Sequence, residues 1–190
     1  MEALRRIVCL MFHPRAEWEL IAAEETSVDA LLRGYILPLA LLAPIATVIG
    51  MKFFGREWDP MHGYLVPPGD IFAAGATTFF GIVGSIFALA AIFALIAPMF
   101  GSPRDFVAAL KVATYGAIPV LLAGATLVLP AMAIVGMAGL CHTLYLYWLG
   151  VHRVLKVPAG GGAEFVGISI VLLALASVLA GAAGSAIGLL

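Results

Sequence analysis

The sequence predicts an all-α integral membrane protein, a five-transmembrane-helix bundle with short interfacial N-terminal helices. Three observations predict it. Of 190 residues, 63% are hydrophobic and only 11% charged, whereas a soluble domain covers its surface with about a quarter charged residues. Mean hydropathy is +1.11. Uncharged stretches also recur at or above the roughly 20 residues that a helix needs to cross a hydrocarbon core about 30 Å thick.

The N-terminal tail, residues 1–32, reads as a cytoplasmic or interfacial amphipathic segment. Leu4, Ile7, Val8 and Met11 recur at helical spacing beside Arg5 and Arg6, and Pro14 and Arg15 open a second short helix with Trp18 and Ile21 on one side. The same periodicity fits helices lying in the membrane interface or docked on the bundle. The apolar run before His13-Pro14 has no small-residue cleavage site, so the tail is expected to stay on the mature protein.

The transmembrane domain covers residues 33–190. Span one, about 34–54, carries Pro38 and Pro44 and ends where Lys52 snorkels. Span two, 71–100, is uncharged throughout and opens at Asp70, a good N-cap. Ser102-Pro-Arg-Asp105 reads as the start of span three, 105–128, with Ser102 as cap and Pro103 at the first helical position. Residues 112–152 carry no formal charge and are twice too long for one crossing, so a hairpin near Leu129-Pro130 must lead into span four, 131–153. Lys111 is expected to snorkel at the mouth of that hairpin. A Gly160-Gly-Gly162 hinge precedes span five, 165–189.

Orientation follows from the basic residues. Arg5, Arg6, Arg15, Arg33, Arg104, Lys111, Arg153 and Lys156 fall on one face, and only Lys52 and Arg56 on the other. The positive-inside rule then places the N-terminus in the cytoplasm and the C-terminus outside. Seven Arg against three Lys, with abundant Ala and Gly, suggest a GC-rich bacterial coding bias and hence a bacterial inner membrane.

Few residues offer chemistry. Cys9 and Cys141 sit in no metal-ligand or redox spacing. Glu57, Asp59 and His62 in the outer loop lack a fourth ligand at a recognisable spacing, so no metal and no cofactor are expected. No nucleophile, base and oxyanion donors converge, so no catalytic residue is nominated and an enzyme is not expected. Ten basic residues against eleven acidic give a net charge of -1, which argues against nucleic acid as a partner.

Two constellations stand out. In span three, Tyr115-Gly-Ala-Ile-Pro119 combines a polar aromatic with a proline that breaks the helical hydrogen bonding, and His142 and Tyr145 share a face of span four. Tyr115, Pro119, His142 and Tyr145 are thus a candidate polar path, while Tyr147 and Trp148 read as an interfacial aromatic belt. The second constellation is small residues at helical spacing. Ala73, Thr77, Gly81, Ser85 and Ala88 form such a stripe in span two, and Ser177, Gly181, Gly184 and Gly188 in span five. Such stripes pack helices within one subunit or between copies. There is no Asn or Gln to hold helices by amide hydrogen bonds.

In order along the chain, Pro14-x-x-x-Trp18, Ala22-x-Glu24, Tyr35-Ile-Leu-Pro38, Tyr115-x-x-x-Pro119, Tyr145-Leu-Tyr-Trp-Leu-Gly150 and Val157-Pro158 resemble the Yip family, the Ypt/Rab-interacting membrane proteins, in its bacterial branch. The resemblance implies a five-pass bundle with a cytoplasmic N-terminus. It implies for eukaryotic members a trafficking role with small GTPases, linked to a long N-terminal domain and an Asp-Leu-x-Gly-Pro type motif that is not found in this sequence. The expected function is a non-enzymatic membrane organiser, with the lipid bilayer, a cytoplasmic or membrane protein and further copies of the chain as partners. The alternative is a small ion or proton channel or transporter around the broken third span.

Overall fold

The computed structural model describes residues 2–54, 68–128 and 132–186. Two short helices, α1 (Glu2–Phe12) and α2 (Pro14–Ala23), meet at His13-Pro14, where Pro14 takes the first helical position and loses no hydrogen bond by lacking an N–H. Ser27 then caps α3 (Val28–Leu31), its hydroxyl accepting from the Ala30 N–H at 3.2 Å.

The first span begins earlier than residue 34, because α3 runs directly into a π-helical turn, Leu32–Ile36, followed by α4 (Leu37–Ala40) and α5 (Leu42–Phe54). Pro38 lies in the first turn of α4 and Pro44 in that of α5, so neither interrupts an established ladder. The second span, α6 (Pro68–Ile96), starts two residues before Asp70, which therefore occupies the first turn and is not the cap.

Span two also ends differently. It tightens into a 3₁₀ turn, Ala97–Phe100, closed by Gly101 in the left-handed region (φ 73°). The Ser102 N–H donates to the Ala97 carbonyl at 3.1 Å. Ser102 thus finishes the preceding helix and cannot cap the next. That cap is Asp105, whose carboxylate accepts from the Val107 and Ala108 N–H groups at 2.9 and 3.0 Å, and α7 is Phe106–Gly116.

The third span is broken as its sequence indicates. α7 stops at Gly116, α8 (Ile118–Ala123) resumes at a bend of 40°, and a 3₁₀ turn covers Gly124–Val128. The hairpin tip at 129–131 lies outside the described residues, as does the loop carrying Glu57, Asp59 and His62. α9 (Ala133–Arg153) and α10 (Gly162–Ala186) complete the bundle. Among the described residues, four helices are long and apolar enough to cross a membrane, and five if the bent pair counts as one span.

The core gathers Leu89, Ala90 and Phe93 of α6, Leu110 to Ile118 of the third span, Leu146 of α9 and Phe165 of α10. Glycines set the closest approaches. A Cβ at Gly116 would lie 2.2 Å from the Tyr147 ring, and one at Gly139 would lie 2.7 Å from the Ala123 Cβ and 3.0 Å from the Pro119 carbonyl oxygen. These contacts are not made by the nominated stripe residues. Gly81 and Gly181 meet nothing within 4 Å, and Ser177 is exposed with its hydroxyl donating to the Leu173 carbonyl at 2.8 Å. Ser85 is half-buried, Gly184 lies in α10, and Gly188 is outside the described residues.

Candidate functional site

The tail is docked. Leu10 of α1 and Trp18 and Ile21 of α2 have no exposed surface, and Trp18 lies against Gly150 of α9, where a Cβ would come within 2.7 Å of the indole. Around this apolar seat the tail and bundle share a polar cluster. Arg6 is its centre: its Nε pairs with Glu17 at 3.2 Å, its Nη1 pairs with Glu24, and the same nitrogen donates to the Tyr115 hydroxyl at 3.3 Å. The guanidinium also lies 5.7 Å from the Tyr115 ring centroid, within cation–π range.

Burial by itself would weaken the Arg6 charge. The hydrogen bonds to Tyr115 and Glu24, with the negative charge nearby, outweigh that effect and raise its pKa above the already high ordinary value. Arg6 therefore stays a cation at every accessible pH.

Lys111 faces the tail from α7. Its ammonium donates to the Ile21 carbonyl at 2.9 Å and to the Glu24 carbonyl, placing a cation at the C-terminal end of α2, where the helix leaves carbonyls unpaired and partial negative charge accumulates. The expected snorkelling is thus replaced by burial beneath the tail: Lys111 is 7% exposed. Tyr35 completes the cluster, its ring 4.9 Å from that of Tyr115, with Trp18 edge-on to Tyr115 at 6.4 Å. Arg153 of α9 adds an exposed pair with Glu19 at 3.4 Å.

Of the nominated tail residues, Trp18 and Arg6 turn inward, whereas Arg5 and Arg15 are exposed. The nominated polar path is not assembled as one unit. Tyr115 is enclosed by Arg6, Trp18 and Tyr35, while His142 and Tyr145 pair with each other, ring centroids 6.0 Å apart, and Tyr145 is exposed. Pro119 is buried in α8, and the next residue's N–H, on Val120, donates to the Thr143 hydroxyl at 3.1 Å, so the break is bridged within the bundle. Tyr147 is no belt residue. It is buried against Gly116 and Phe93, and its hydroxyl donates to the Ala113 carbonyl at 3.4 Å.

Trp18, Glu24, Tyr35 and Tyr115, dispersed over three segments of sequence, converge on this one cluster, and each belongs to a motif of the family resemblance. The sequence model of the Yip1 domain matches residues 8–181. The chain belongs to the Yip family. No curated protein and no solved structure matches it. It is a Yip-family multi-pass membrane protein, all-α, in which the matched region includes α2, the docking cluster and nearly all of the described spans.

Glu17 and Lys111 are the functional-site residues that sequence reasoning missed. Glu17 carried a signal, being an acid next to Trp18 on a face that otherwise buries Ile21. Lys111 carried none, because a lysine at a span mouth ordinarily reaches for water.

Proposed function

We propose that this Yip-family protein is a non-enzymatic membrane organiser, sitting in a bacterial inner membrane with its N-terminus in the cytoplasm. Its docked tail is the surface that meets protein partners. The single observation that supports this is the Arg6 cluster, which makes the tail a fixed part of the bundle's basic face rather than a free leader. The outer face of that tail then has a defined shape: Leu4, Val8 and Phe12 lie exposed at four-residue spacing along α1, with Leu20 exposed on α2. Self-association through the outward small-residue stripe of α10 belongs to the same proposal. Gly181 meets nothing within its own subunit.

The reading is tested by placing a photo-crosslinking amino acid at Val8, Leu20 and Arg104 in cells and resolving the adducts. A discrete protein adduct from Val8 or Leu20 that is lost when Arg6→Ala undocks the tail is the expected result. Absence of any tail adduct, or adducts that persist unchanged in Arg6→Ala, would contradict the docked tail as partner surface.

A further inference from the structure

At the seam between tail and bundle lies an open cavity of about 470 Å³ that the docking cluster does not use. Its wall is made by the last two turns of α9, by the turn that follows, and by the first turn of α2. Arg15 and Arg153 bring two guanidinium groups to it, and Trp148, Leu149 and Val157 bring apolar surface. We propose that this cavity binds an anionic glycerophospholipid, its phosphate held by Arg15 and Arg153 and its glycerol and upper acyl chains lying on the apolar wall.

The charge is available. Arg15 is exposed and makes no ion pair among the described residues. Arg153 spends one nitrogen on Glu19 at 3.4 Å, but both side chains are about half exposed, 49% and 60%. Such a pair holds its partners weakly and leaves the other guanidinium donors free. Planar guanidinium groups suit phosphate because they donate two parallel hydrogen bonds. Basic pockets beside transmembrane helices at the cytoplasmic surface are the known form of anionic headgroup sites.

The neighbouring surface argues for a lipid over free phosphate. His142, Tyr145, Trp148 and His152 form a ladder of rings up the outer side of α9, successive centroids 6.0, 6.4 and 5.0 Å apart, with Tyr145 and Trp148 stacked nearly parallel at 18°. The ladder climbs about 15 Å of helix at 1.5 Å per residue, from within the span to the cavity. Tyr145 and Trp148 are 36% and 41% exposed on it. The His152 Nδ1 lies 2.6 Å from the Trp148 carbonyl oxygen, which fixes the ring at the cavity edge. Free phosphate has no use for this apolar strip, whereas an acyl chain descending from a bound headgroup runs along it.

The test uses the full chain, purified in detergent and examined by native mass spectrometry while phosphatidylglycerol or phosphatidylcholine is titrated in. One phosphatidylglycerol per chain, held at least tenfold more tightly than phosphatidylcholine, is expected. Arg15→Ala combined with Arg153→Ala should weaken phosphatidylglycerol at least tenfold, and Arg104→Ala, an exposed basic residue elsewhere on the same face, should not. Glu19→Gln, which removes the carboxylate beside Arg153, should tighten it and serves if the double variant fails to fold. No preference between the two lipids, equal weakening by Arg104→Ala, no tightening in Glu19→Gln, or displacement of the lipid by millimolar inorganic phosphate would each overturn the proposal.

Discussion

Replacing Arg6 by Met should undock the tail without touching any span. Arg6 is 22% exposed and Glu17 is 11% exposed, so Glu17 would be left as a nearly buried carboxylate with its cation removed. Breaking a fully buried ion pair costs about 3–5 kcal/mol, and an exposed one about 0–1. Arg6 lies between these limits, and about 2 kcal/mol follows from interpolating the same two figures. That is roughly a thirtyfold rise in the undocked fraction at about 1.4 kcal/mol per factor of ten. Helices of this length are marginal alone in water, so undocking frees their amides. Hydrogen exchange of α1 and α2 amides in detergent or nanodiscs should therefore accelerate by about thirtyfold if exchange proceeds through that open state. Adding Glu17→Gln to Arg6→Met removes the stranded charge and should recover part of the protection. Exchange in residues 2–23 that stays within twofold of wild type would refute the reasoning.

Gly116→Ala would push a methyl to within 2.2 Å of the Tyr147 ring, which Phe93 backs at a centroid distance of 5.7 Å. Overpacking of this kind costs about 1–3 kcal/mol, so the thermal midpoint in detergent should fall by several degrees and recover in a Tyr147→Leu background. In a chain lacking Cys9 and Cys141, Arg56→Cys should react with a membrane-impermeant thiol reagent from outside the cell and Arg104→Cys should not; the reverse pattern contradicts the proposed orientation. Gly181→Leu should lower the mass found by light scattering toward one chain, and an unchanged mass would assign the stripe to lipid.

The spans and the break at Gly116 were legible because their signals are local. Charge-free length, proline and capping residues act within a turn or two of where they stand. Ser102 shows the limit: its type suits a helix start, but the 3₁₀ turn and Gly101 behind it had already claimed its N–H. Which faces pack was not legible, because hydrocarbon tails are as apolar as Leu and no hydrophobic contrast separates inside from outside. α10 buries Phe165 and exposes Val178 and Leu179 with equal ease. Small residues were therefore nominated by spacing, whereas the approaches that matter fall at Gly116, Gly139 and Gly150. The docking cluster was out of reach for a different reason. Arg6 and Tyr115 are 109 residues apart, and each alone reads as an interfacial residue.

Ion flux through the purified protein in liposomes tests most directly the central claim that Tyr115 serves the tail dock and not a conduction path. Liposomes carrying wild type and Tyr115→Phe should be equally silent to protons and monovalent cations, while Tyr115→Phe, lacking the hydroxyl that accepts from Arg6, shows faster exchange in α1 and α2. Proton or cation flux in wild type that disappears in Tyr115→Phe or His142→Ala would contradict it.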